Sequence, residues 1–261
     1  MNKKLKFFIA SFVAALGFYS FLSLPIESRY YGMLVETILL VLSFWFGLGI
    51  IFEKNINTRF MAVMLPMQFF IGFGLFSALF PVSFLLKLGL SLVFGLMCYL
   101  IFLVENVFLV AIGFKTVPLY RAAYTMNLIL TLLSSFFLFI SLQSFNQIYW
   151  VNMIAVFVIS ALIFLYQFWA IAIELPDDGR TKNRWAYVFV PSLLLSEMAL
   201  AFSFWPVGMF RGSIYLVVMI YVVSALYQAD IRERLFKKTW LTYVWLGIAV
   251  VLGVLFLTKW R

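Results

Sequence analysis

From Lys6 onward the chain alternates between apolar runs of about twenty residues and short polar breaks. Nine runs can be marked, at about 6–24, 33–52, 60–80, 82–104, 122–142, 150–173, 185–205, 208–228 and 240–258. About 20 helical residues cross the roughly 30 Å hydrocarbon core of a bilayer, so each run has the length of one span. The breaks hold residues that stop helices: Pro25, Pro81, Pro118, Pro206 and the stretch Pro176-Asp177-Asp178-Gly179. In lipid every backbone N–H and C=O needs a partner within the protein, which makes helix the expected form. The predicted fold class is all-α, a polytopic transmembrane helical bundle of about nine spans.

Composition strengthens that picture. Of 261 residues 66% are hydrophobic and only 11% are charged, whereas a soluble domain carries about a quarter charged residues. The longest stretches of soluble character, 175–184 and 229–239, are too short to bury a core of their own. The opening Met1-Asn2-Lys3-Lys4-Leu5-Lys6 has the look of a signal peptide. Its apolar run continues to Leu24 with no small-x-small cleavage site, so a retained first span is expected.

The net charge is +9, and its distribution matters more than its size. With nine spans and a cytoplasmic N-terminus, fourteen Lys and Arg fall on the cytoplasmic side, among them Lys54, Arg59, Lys115, Arg121, Arg180, Arg232 and Arg234. Four fall opposite (Arg29, Arg211, Lys259, Arg261), and Lys87 lies within a span. This positive-inside bias predicts a multi-pass cell-membrane protein with its N-terminus cytoplasmic and its C-terminus extracytoplasmic. Membrane lipid is the expected partner. Nucleic acid is not, since basic residues cluster at span ends without the stacking pattern of a nucleic-acid reader. Tyr30, Tyr31, Tyr149, Trp150, Trp185, Trp205, Trp240 and Trp260 fall at span ends, as an interfacial aromatic belt would.

Two features complicate the simple scheme. From Val82 to Phe114 the only charges are Lys87 and Glu105, too long a stretch for one upright span. The sequence leaves Asn106–Phe114 open between an interfacial segment, a continued helix and a re-entrant turn. The chain also seems to repeat. Arg59, Pro66, Pro81, Val82 and Glu105 recur 125 residues later as Arg184, Pro191, Pro206, Val207 and Asp230. Lys3, Phe18, Phe21 and Tyr31 recur 118 residues later as Arg121, Phe136, Phe139 and Tyr149. The expected organisation is a four-span unit at 1–120, a second at 121–239 in the same orientation, and an appended span at 240–261. A parallel repeat of this kind has its axis along the membrane normal.

The chain contains no histidine and one cysteine, Cys98. That excludes His-based acid–base chemistry, His metal ligation and an intrachain disulfide. Phosphate-cradling glycine loops and nucleophile elbows are absent too. No catalytic residue, metal site or cofactor is expected. Glu174, Asp177 and Asp178 lie close in sequence, but they share their loop with Arg180, Lys182 and Arg184 and match no metal-loop spacing.

Polar groups within spans cost roughly 3 kcal/mol or more when charged at the bilayer centre, so each needs a reason. Glu197 is the deepest. It is expected to point into the bundle and find a polar partner, with Asn152, Lys87, Arg211 and Glu36 at suitable depth. Together these five residues outline an outward-facing polar cavity between the two repeat units. Glu105 and Asp230, related by the repeat, are expected to end equivalent spans at the cytoplasmic headgroups.

The stretch from Val104 to Ala123, VENVFLVAIGFKTVPLYRAA, and the general character of the chain resemble bacterial polytopic integral-membrane families of unknown function. That resemblance implies no substrate and no catalytic residue. Three functions remain open on the sequence. The duplicated spans and Glu197 suggest a transporter of a small solute or lipid, with a small-molecule or lipid ligand. Scarce polar motifs and Phe-rich, Leu-rich spans suggest a membrane-embedded structural or assembly subunit. A lipid-modifying intramembrane enzyme is the third, with no residue set to perform it.

Overall fold

A computed structural model describes residues 3–49, 56–80, 83–113, 118–173, 184–205, 207–232 and 236–257. Among the described residues there are nine α-helices, one short 3-10 turn and no strand. The helices are α1 (Lys3–Ser23), α2 (Arg29–Leu48), α3 (Ile56–Ser77), α4 (Phe84–Gly113), α5 (Tyr120–Ser144), α6 (Tyr149–Ala172), α7 (Arg184–Phe204), α8 (Met209–Ile231) and α9 (Lys237–Leu257). The first eight are long and apolar enough to cross a membrane, and α9 carries a shorter apolar stretch, Trp240–Gly253. The helical bundle of about nine spans is therefore the observed architecture. Pro81, Pro206, Val82, Lys115 and the acidic cluster Glu174, Asp177 and Asp178 lie outside the described residues.

The long apolar stretch after Val82 is settled as a continued helix. Helix α4 runs unbroken for 30 residues to Gly113, about 45 Å at 1.5 Å per residue. Glu105 consequently sits within α4, well before its end, and is wholly buried. Asp230 is exposed near the end of α8 and accepts a hydrogen bond from Tyr187 Oη at 2.7 Å. Asp230 lies at the end of its helix, whereas α4 continues beyond Glu105, a continuation that hydropathy does not show.

Two compact units divide the chain, Met1–Leu138 and Phe139–Arg261. The division falls inside α5, whereas the sequence set its boundary before this helix, at 120/121. A close approach explains why most of α5 belongs with unit 1. A Cβ added at Gly72 on α3 would stand 3.0 Å from Leu138 N and 3.1 Å from Ser134 O.

Unit 1 is built around phenylalanine. Helix α1 packs on α2 and α4, and α3 packs on α2 and α4. Phe44 stacks on Phe102 at 3.9 Å and Phe18 on Phe94 at 4.4 Å, all four fully buried. Such broad rings fit only where the opposing helix offers a small residue, as small residues do at helix crossings in membranes. Gly47 lies under Phe102, and Gly95 lies against Ala15.

In unit 2, α6 packs along α7, α7 on α8, and α8 on α9. The face that α7 buries is Val188, Pro191, Ser192, Leu195, Ser196 and Ala199, at helical spacing and mostly small. Its hydroxyls are satisfied locally: Ser192 Oγ donates to Val188 O at 2.6 Å and Ser196 Oγ to Leu193 O at 2.7 Å. A serine that bonds back onto its own helix can be buried with no partner elsewhere.

Candidate functional site

The helix phase decides which acids are available to a site. On α7 the stripe opposite the serines is Ala186, Val190, Leu193, Glu197, Ala201 and Phe204, and all six are exposed. Within unit 2, Glu197 therefore lies on the exposed face of α7, opposite the face that packs. A serine-and-alanine face allowed closer helix packing than a glutamate face would, and Glu197 was left outside. Glu36, expected near an outer interface, is instead 97% buried on α2 in unit 1. Lys87, near the start of α4, is partly exposed, and Arg211 on α8 is exposed.

The polar cleft that the structure forms lies within unit 2. Its volume is about 380 Å³, and it is lined by Leu142, Gln143, Asn146, Gln147, Asn152, Phe202, Ser203, Val207, Gly208 and Met209. Of the five residues expected in a polar cavity, Asn152 alone lines it.

Two turns build the cleft. Helix α5 closes with Phe145 N donating to Leu142 O at 3.3 Å and Asn146 N to Gln143 O at 3.4 Å. Asn146 then takes a left-handed backbone at φ 45°, a conformation asparagine tolerates better than most residues. The second turn joins α7 to α8 through Gly208 at φ 77°, ψ 147°, where any other residue would be strained. Because α5–α6 and α7–α8 each reverse direction, the two turns stand at the same end of unit 2.

Between them the polar groups are neutral carboxamides and one hydroxyl. Asn152 Nδ2 donates to Ser203 Oγ at 3.3 Å, and Ser203 Oγ donates to Ala199 O at 3.0 Å. Asn152 Oδ1 is buried and has no hydrogen-bond partner among the described residues. Gln143 lies with its amide against Gly212 of α8, where an added Cβ would come within 2.6 Å of Oε1. Any side chain at 212 would push that amide aside. The open rim is Asn146 and Gln147, both exposed, while Leu142, Phe202, Val207 and Met209 give an apolar flank.

This lining can donate and accept several hydrogen bonds to an uncharged partner. It offers no carboxylate, thiol or imidazole to a metal. No group of three or more metal-binding side chains occurs among the described residues. Sequence reasoning missed Gln143, Asn146, Gln147 and Ser203. Their signal was present, as a run of four side-chain amides between Gln143 and Asn152 in a chain that is 66% hydrophobic. It read as an ordinary break between spans.

Comparison with known proteins adds no activity. No curated protein and no solved structure matches the chain. Nothing in the comparisons points to bacterial membrane families as such, so the uncharacterised character alone carries over from the sequence resemblance. A family model described as a protein of unknown function matches residues 8–257, from the first turns of α1 to the end of α9, and the chain belongs to that family, DUF5656.

Proposed function

We propose that the protein is a multi-pass cell-membrane protein that binds an uncharged, hydrogen-bonding small solute or lipid headgroup in the cleft of unit 2, as the outward-facing site of a transporter. The observation that carries this reading is the cleft itself: about 380 Å³, four carboxamides, and in Asn152 Oδ1 a buried acceptor without a partner. A volume of this order suits a small ligand. A buried acceptor left unsatisfied costs about 1–3 kcal/mol, which a ligand hydroxyl or amide N–H would recover. The basic residues support the outward orientation, since the α5–α6 and α7–α8 turns fall on the side poor in Lys and Arg. A reporter fused after Arg261 is expected to read extracytoplasmic, and a cytoplasmic reading would turn the cleft to the other side.

Binding tests the reading directly. Protein in neutral phosphatidylcholine nanodiscs is titrated with methyl β-glucoside, with acetate as an anionic comparison. Saturable binding of the glucoside that weakens in Asn152→Ala supports the proposal. Saturation by acetate alone, or glucoside binding unchanged in Asn152→Ala, rejects it.

One observation favours a second reading, a membrane-embedded structural or assembly subunit. Unit 1 is a core of stacked phenylalanines, and its large buried side chains are the means by which a bundle is made rigid. The tandem parallel repeat fits either reading. It draws support from Pro66 and Pro191, each seven residues after an arginine and each inside a helix.

A further inference from the structure

Glu36 is the eighth residue of α2, about 10 Å from its start at 1.5 Å per residue. Its carboxyl lies over Gly17 of α1, so close that a Cβ at 17 would collide with both oxygens. The residue is 97% buried, and Oε1 has no hydrogen-bond partner among the described residues. Buried hydroxyls in these helices divide: Ser11, Ser77, Thr131 and Ser192 each donate to a carbonyl on their own helix, whereas those of Ser134, Ser160 and Ser224 have no hydrogen-bond partner among the described residues. Glycine in a helix interior costs about 1 kcal/mol relative to alanine. Here that cost accompanies a notch filled by an acid.

The surroundings decide what such an acid can bind. Helix α2 packs on α1, α3 and α4. On α4 the Cys98 thiol is buried. Lys3, Lys4 and Lys6 of α1 are at least eleven residues from Gly17, about 16 Å along the helix. Tyr19 follows Gly17 by two residues. Arg59 opens α3 at the far end of α2, Lys87 lies in the first turn of α4, and Glu105 lies seven residues beyond Cys98. Arg29, Tyr30 and Tyr31 sit in the first turn of α2 itself. Among the described residues none of these bases pairs with Glu36, whose Oε1 is left without a hydrogen-bond partner. A metal cation would need several oxygen ligands, and the notch offers one carboxyl.

We infer that Glu36 is a proton-binding site inside unit 1, its carboxyl seated in the notch that Gly17 leaves at the α1–α2 crossing. The ligand is the proton. The site is independent of the cleft in unit 2, so either can fail without the other.

A bilayer-soluble carbodiimide, dicyclohexylcarbodiimide, tests this on the full chain in nanodiscs. It reacts with a carboxylic acid by addition: the acid proton passes to one nitrogen, the carboxyl oxygen bonds the central carbon, and an acyl shift gives a stable N-acylurea with nothing released. Mass spectrometry is expected to find the label on Glu36. Labelling should fall about tenfold per pH unit once the acid has ionised. Glu36→Gln should lose the label, and Gly17→Ala, which displaces the carboxyl, should move the midpoint. If Gly17→Ala does not fold, the wild-type titration stands by itself. A label on Glu36 that does not vary with pH, or no label in folded wild-type protein, overturns the inference and marks Glu36 as static packing.

Discussion

Glu36 and Glu197 are the two acids placed deepest in spans by the sequence, and the structure treats them oppositely. On α2 the acid faces a glycine on α1, which leaves room for it, and it is buried among Leu40, Phe44 and Gly47 on its own helix. On α7 the acid shares its helix with Ser192 and Ser196, and these smaller residues take the interface instead. The difference teaches that the side chain opposite decides burial, more than the polarity of the residue itself. In lipid, where apolar surface gains little by facing protein instead of tails, close packing is the stronger demand. A glutamate enters only where the partner helix yields space.

The same contrast holds between the units. Unit 1 closes its core with rings, while unit 2 leaves an amide-lined cleft at one end. Three substitutions sharpen or break that contrast. The largest effect is expected for Phe102→Ala, which removes a fully buried ring stacked on Phe44 and Phe7. A loss of about 3–5 kcal/mol is expected, read as a lower midpoint of thermal unfolding in detergent. A loss under about 1 kcal/mol would mean that unit 1 is loosely packed, and the contrast would fail.

Asn152→Ala comes next. It removes the buried acceptor and the donor to Ser203, and should weaken glucoside binding about tenfold, near 1.4 kcal/mol. Unfolding should change much less than in Phe102→Ala, since Asn152 is only partly buried at an open rim. Glu197→Leu should matter least, within about 0.5 kcal/mol, because its side chain is exposed on α7. Strong destabilisation by this change would show that Glu197 is held by a contact and would erase its difference from Glu36.

Much of the architecture was legible in the residues. Helix number, approximate limits and the all-helical class follow from apolar runs of span length, because only helices satisfy the backbone within one segment in lipid. Asn152 was legible too, as an amide near the start of a span. Gln143, Asn146 and Gln147 were overlooked because amides between two spans look like any loop. Only the left-handed turn at Asn146 and the reversal through Gly208 bring them against Asn152 and Ser203.

What the sequence by itself determined is which segments are helices, where basic residues concentrate, and that these 261 residues hold neither a histidine nor a pair of cysteines for an intrachain disulfide. Tertiary structure alone decided the rest: that α4 continues past Glu105, that α5 belongs mostly with unit 1, that Glu36 is inside and Glu197 outside. The physical reason is that hydropathy in a membrane chain is nearly uniform around each helix. It therefore fixes depth but not rotation. Rotation is set by the fit of small residues against large ones across a crossing, as at Gly47 with Phe102 and Gly17 with Glu36, and that fit exists only once the partner helix is in place.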